Sequence, residues 1–207
     1  MHNSFIRHFG FDSKSRKYLI ILDSGFRRDN VIAGFVQLCK GLAEYYNMFV
    51  TKDNVHDIKS LAFHNDPDVL SLDIDGNDYY IAKALLDGGF RPKIFLVEYN
   101  AVFGSQRSLT VPYKNDFVNT NAHPTHLYYG VAISGWRKFF KDNGYYFVTV
   151  ERNGVNAFFV DSDFFDKDFL NGIVPLAFAE NQDNLRKFRQ SSEKQFQLIA
   201  DQPFISI

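Results

Sequence analysis

The feature that most limits how this chain can fold is a strand–helix–strand pattern over residues 69–97 with an acidic turn inside it. Residues 69–72 are apolar and run into Asp73-Ile-Asp-Gly-Asn-Asp78. A helical pattern then spans 80–86 and stops at Gly88-Gly89, and residues 93–97 are apolar again, closing on Glu98-Tyr-Asn100. A βαβ unit this compact predicts two parallel strands joined by a right-handed crossover. Both strands then open on one sheet edge, which gathers Asp73, Asp75, Glu98 and Asn100. Carboxyl ends of such strands are where α/β proteins bind ligands. Carboxylates crowded there do not all ionise cheaply unless a cation, a donor or a proton is shared among them.

The flanking chain extends the same pattern. Residues 18–22 read as a buried strand closing on Asp23-Ser-Gly25, 31–45 as an amphipathic helix with Cys39 on its apolar side, and 46–50 as a second short strand. Residues 131–143 predict a helix with Ile133, Trp136, Phe139 and Phe140 facing in. Two β-rich runs, 145–150 and 155–160, flank Asn153-Gly154 and predict a hairpin. Residues 101–129 show no period and are long for a plain connection, so a folded lid or substrate loop is expected. Residues 181–200 are polar and weakly helical. The expectation is one α/β domain over 1–207, its sheet mostly parallel with an antiparallel C-terminal hairpin. Residues 1–17 are read as an N-terminal arm and 161–207 as a C-terminal extension.

Composition narrows the partners. A formal net charge of −1 at 207 residues, with Arg27-Arg28 and scattered lysines forming no stripe, argues against a polyanion surface and so against nucleic acid. The single cysteine, Cys39, rules out an internal disulfide and a Cys-rich zinc site. No apolar run approaches the ~18 residues of a membrane span, and the first eight residues lack an apolar signal core. A soluble, cytoplasmic protein with a small-molecule partner is expected, and a homo-oligomer is compatible with this. The aromatic content, 17% from 23 Phe, 11 Tyr and one Trp, is read first as core.

Several familiar sites are excluded. A calcium loop needs glycine at its sixth position and Glu at its twelfth. Counted from Asp73, Gly76 is fourth and Ala84 twelfth, and a strand stands where a helix should precede. There is no phosphate-binding Gly-x-x-x-x-Gly-Lys-Ser/Thr and no Gly-x-Ser-x-Gly elbow. His123 and His126, without cysteine partners, are a weak metal signal and are read as surface or loop-packing histidines. Capping of the following helix accounts for Asn77 or Asp78, but it does not require Asp73 and Asp75 as well.

Asp73-Ile-Asp-Gly-Asn-Asp-Tyr-Tyr80, Val97-Glu-Tyr-Asn-Ala101, Leu109-Thr-Val-Pro-Tyr113, Tyr128-Tyr-Gly130 and Gly154-Val-Asn-Ala-Phe-Phe-Val160 together resemble S-adenosylmethionine-dependent methyltransferase-like proteins, bacterial relatives of the FkbM-type group. The likeness spans roughly residues 45–165. It implies a partial Rossmann-like class I methyltransferase sheet, whose last strand runs antiparallel. It also implies S-adenosylmethionine as cofactor, with Asp23, Asp73 and Asn77 on the cofactor side. Asp73, Asp75, Glu98 and Asn100 would form the catalytic edge for O-methyl transfer to a small polar acceptor such as a sugar. A divalent cation such as Mg²⁺ on Asp73 and Asp75 could lower the acceptor's pKa. Only 22 residues precede Asp23, and Gly10 is their one glycine, so the cofactor half is expected to be shortened. Two registers stand open: Asp23 as the ribose acid, or residues 19–25 as the first strand and its loop. The alternatives to methyl transfer are a truncated, non-catalytic methyltransferase-like binding or assembly module, and metal-dependent hydrolysis at the acidic turn.

Overall fold

The structure, a computed structural model, describes residues 5–11, 17–23, 43–47, 49–61 and 65–207. Its main sheet begins with β1 (Phe5–Phe11), β2 (Lys17–Asp23) and β3 (Ala43–Asn47). After α1 (Val55–Leu61) come β4 (Val69–Asp73), α2 (Asp78–Asp87) and β5 (Ile94–Glu98). A 3-10 turn (Ala101–Phe103), the two-residue β6 (Leu109–Thr110) and α3 (Asn119–Ala122) lead to α4 (Ile133–Asp142). The hairpin β7 (Tyr145–Val150) and β8 (Asn156–Asp161) completes the sheet. Three short helices follow, α5 (Lys167–Asn171), α6 (Gln182–Phe188) and α7 (Ser192–Phe196), and then β9 (Ile205–Ser206), which pairs with β6.

The sheet order is β3-β1-β2-β4-β5-β8-β7. Only the β2–β4 and β4–β5 pairs are parallel, and the four others are antiparallel. The expected mostly parallel sheet is therefore corrected to a mixed one, with three parallel strands at its centre. The physical reason lies at both flanks. Residues 5–11, expected in an arm, pair back on β2 as an antiparallel strand, and β3 adds antiparallel to β1. On the other side the predicted hairpin pairs β7 with β8, and β8 lies antiparallel between β5 and β7.

β4 and β5 are parallel, with Leu72 opposite Val97. The core forms where α2 and α4 pack on this centre. α2 buries Ile81, Ala82 and Leu85, and α4 buries Trp136, Phe139 and Phe140. Phe140 stacks on Phe159 at 4.3 Å and on Trp136 at 5.3 Å, and meets Phe95 and Tyr145 edge-on or tilted. Each such ring contributes roughly 1.5–3 kcal/mol by leaving water. Here the abundance of aromatics is core, as composition suggested.

The remaining expectations resolve individually. Strand β3 lies at 43–47, inside the end of the expected helix and three residues ahead of the expected strand. Residues 31–42, with Cys39, lie outside the described residues. The hairpin turn takes five residues, with Gly154 at φ 74° and packed so closely on the Glu180 main chain that a β-carbon would collide. No helix among the described residues is long and apolar enough to cross a membrane.

Candidate functional site

Parallel pairing fixes the site. Asp73 follows Leu72, and Glu98 follows its register partner Val97, so the two carboxylates leave neighbouring strands at the same level. On the other side of β4, Asp23 is the register partner of Asp73. Asp75 comes back over the strand ends because its backbone turns left-handed, at φ 56°, a conformation uncommon for any residue but glycine. One carboxylate oxygen from each of Asp73, Asp75 and Glu98 lies within 4.8 Å of the others, and this is the metal-compatible group found among the described residues.

Asp78 shapes the turn that makes this possible. Its two oxygens accept from the main-chain N–H groups of Ile74 and Gly76, each at 2.9 Å. Neither it nor Asn77 caps α2 through its side chain, contrary to the expectation; Asp78 reaches back instead. Burial, partly offset by those N–H donors and reinforced by nearby Asp75, pushes its carboxyl up to about 6.

Glu98 is buried, with 8% of its surface exposed. Burial first, then the charges of Asp73, Asp75 and Asp78 and a hydrogen bond with Asp73, drive its carboxyl well above the ordinary range. Tyr129 is also buried. Burial, followed by the charges of Glu98, Asp75 and Asp73 and a hydrogen bond with Glu98, raises its phenol well above the usual value. Even so, Oε2 of Glu98 has no hydrogen-bond partner among the described residues. At the opposite end of β5 the fold treats a buried carboxylate differently: Asp161 receives Nε and Nη2 of Arg91 at 3.0 and 2.7 Å. Two like charges 4 Å apart repel by about 4 kcal/mol at an effective dielectric of ~20. Three ionised carboxylates together would cost roughly 10 kcal/mol, as much as a whole domain's stability. A proton, a donor or a cation shared within the cluster offsets this cost.

The two asparagines are spent on architecture. Asn100 donates to the carbonyls of Leu127 and Tyr129, at 2.8 and 2.9 Å, and accepts from the Val102 N–H at 3.0 Å. It thereby fixes the segment that carries Tyr129. Asn77 donates to the Lys114 carbonyl at 2.8 Å and accepts from the Lys114 N–H at 3.3 Å, so it ties the 111–122 segment to the acidic turn. Tyr80 donates to the Val111 carbonyl at 3.0 Å, and the Phe117 ring packs so closely on Gly76 that no β-carbon fits there. The long irregular stretch is thus folded over the turn.

Two residues that sequence reasoning missed complete the surroundings. Trp136 donates from Nε1 to the Glu98 carbonyl at 2.7 Å. Tyr129 faces Glu98, but nothing local distinguishes it from Tyr128, whose hydroxyl instead meets the Pro203 carbonyl. His123 bonds Thr125 inside its own turn at 2.8 Å, and His126 is exposed, so neither joins the cluster. No family model, curated protein or solved structure matches this chain.

Proposed function

We propose that this chain is an S-adenosylmethionine-dependent O-methyltransferase acting on a small hydroxyl-bearing acceptor, with the Asp73–Asp75–Glu98 edge on the acceptor side. The observation that carries the reading is the convergence of these three carboxylates at the carboxyl edge of parallel β4 and β5. The topology supports the same place. After β2 the chain runs to β3 on one side of the sheet and returns to β4 on the other, so β2–β4 is a topological switch point. In a nucleotide-binding sheet of order 3-2-1-4-5-6, the strand beside the fourth is the first. β2 holds that position here, which favours residues 19–25 as the first strand and loop. The antiparallel β8 also agrees with the class I arrangement that the five linked motifs resemble.

The donor set suits the cofactor's cationic and hydroxyl groups. Asp73 would hold it, its register partner Asp23 lying at the adjacent strand end. S-adenosylmethionine supplies an electrophilic methyl group when bound. Aligning the acceptor oxygen with that methyl is then the protein's main task. Asp75, half-buried, would accept the acceptor's hydroxyl proton. Asn77 and Asn100 act by positioning, one holding the covering segment and the other the Tyr129 segment.

Thermal unfolding with S-adenosylhomocysteine tests the reading. Ligand at about 100 times its Kd stabilises by about 2.7 kcal/mol, which for a domain of this size raises Tm by roughly 5–10 °C. No shift at millimolar ligand would overturn methyl transfer and leave the non-catalytic module and metal-dependent hydrolysis as the remaining readings.

A further inference from the structure

We infer that Asp73, Asp75 and Glu98 form a divalent-cation site with three oxygen ligands, Glu98 being the ligand that sequence reading had not assigned to metal. Two independent observations meet here. One is the mutual approach of the three donor atoms, within 4.8 Å. The other is the orphaned Oε2 of Glu98, on a member of that group more than nine-tenths buried. A buried polar atom without a partner is rare in folded proteins and calls for an explanation such as an ion.

Chemistry narrows the kind of ion. Oxygen-only donors favour Mg²⁺, Mn²⁺ or Ca²⁺ over zinc. Two oxygens on opposite sides of an ion at about 2.4 Å are ~4.8 Å apart and other pairs are closer, so donors lying within 4.8 Å of one another are compatible with one shared ion. Asp78 lies outside this group of three donors, and its oxygens accept from Ile74 and Gly76. Three protein ligands leave roughly three positions of an octahedron for water or an incoming oxygen. Resting on the methyl-transfer reading, the cation's role would be to bind the acceptor hydroxyl and make its proton easier to remove. The cation site itself does not depend on that reading.

The test is a titration of Mn²⁺ into chelator-treated protein, with free Mn²⁺ followed by electron paramagnetic resonance. One saturable site per chain is expected, weakened at least tenfold in Glu98→Gln. Absence of a saturable site in the parent protein overturns the inference, as does a Glu98→Gln variant that binds within twofold of it. Should Glu98→Gln not fold, Asp75→Asn carries the same criterion, since that side chain is half-buried. The two readings fail separately. Mn²⁺ binding without S-adenosylhomocysteine binding keeps the cation site and removes methyl transfer; the reverse result removes the cation site alone.

Discussion

Trp136 donates its indole hydrogen to the main-chain oxygen of Glu98 at 2.7 Å, joining the largest core side chain to a residue of the acidic edge. The bond links packing to site geometry, because it fixes where β5 ends. Trp136→Phe keeps an aromatic ring but leaves that buried carbonyl without its donor. The expected cost is about 1–3 kcal/mol, read as a lower urea midpoint with unchanged slope. A variant as stable as the parent would mean that the carbonyl has another partner.

Asn100 offers a sharper discrimination. Its amide donates to two carbonyls, so Asn100→Asp turns those donors into acceptors facing acceptors, while Asn100→Ala leaves both carbonyls and the Val102 N–H unpaired. The loss of three buried bonds predicts roughly 2–4 kcal/mol for the alanine variant, and a larger loss for the aspartate at neutral pH. Chemical denaturation of both variants checks the order. If Asn100 contacted the acceptor instead, stability would be unchanged and only binding would fall.

The Asp78 carboxyl gives a pH dependence. Its folded value, about 6 against 3.8, means that the folded state prefers the protonated form. The associated stabilisation is fully present below about pH 4 and is lost as pH rises through 6. Two units correspond to about 3 kcal/mol. Asp78→Asn lacks this term, so the stability gap between parent and variant should shrink by about that amount from pH 4 to pH 7. Urea unfolding in chelator at several pH values measures it, and a constant gap would show that Asp78 is ionised throughout.

Gly76 and Phe117 hold the covering segment against the acidic turn. Gly76→Ala drives a β-carbon into the Phe117 ring, and overpacking of this kind costs about 1–3 kcal/mol. Phe117→Leu should recover part of that loss in the double variant. A double-mutant cycle reads the coupling; additive effects would mean that the two residues do not press on each other.

The sequence pattern was sufficient where structure is local or repeated. The β4–α2–β5 unit, α4 and the hairpin all follow from apolar periods and turn residues, and parallel pairing then brings Asp73, Asp75 and Glu98 together. β1 was less legible, since its strand character depends on pairing with β2. The roles of Asn77 and Asn100 were hidden for another reason. Their partners are main-chain groups 27 to 37 residues away, for which an asparagine carries no local signature. Asp78 reads as a helix cap by position, but two N–H groups behind it compete for its oxygens and win.

The most direct test of the proposed site is calorimetric titration of S-adenosylhomocysteine into the purified chain and into Asp73→Asn. The account predicts saturable one-to-one binding to the parent and at least tenfold weaker binding to the variant. No binding heat in a folded parent protein, or equal affinity for both proteins, would contradict it.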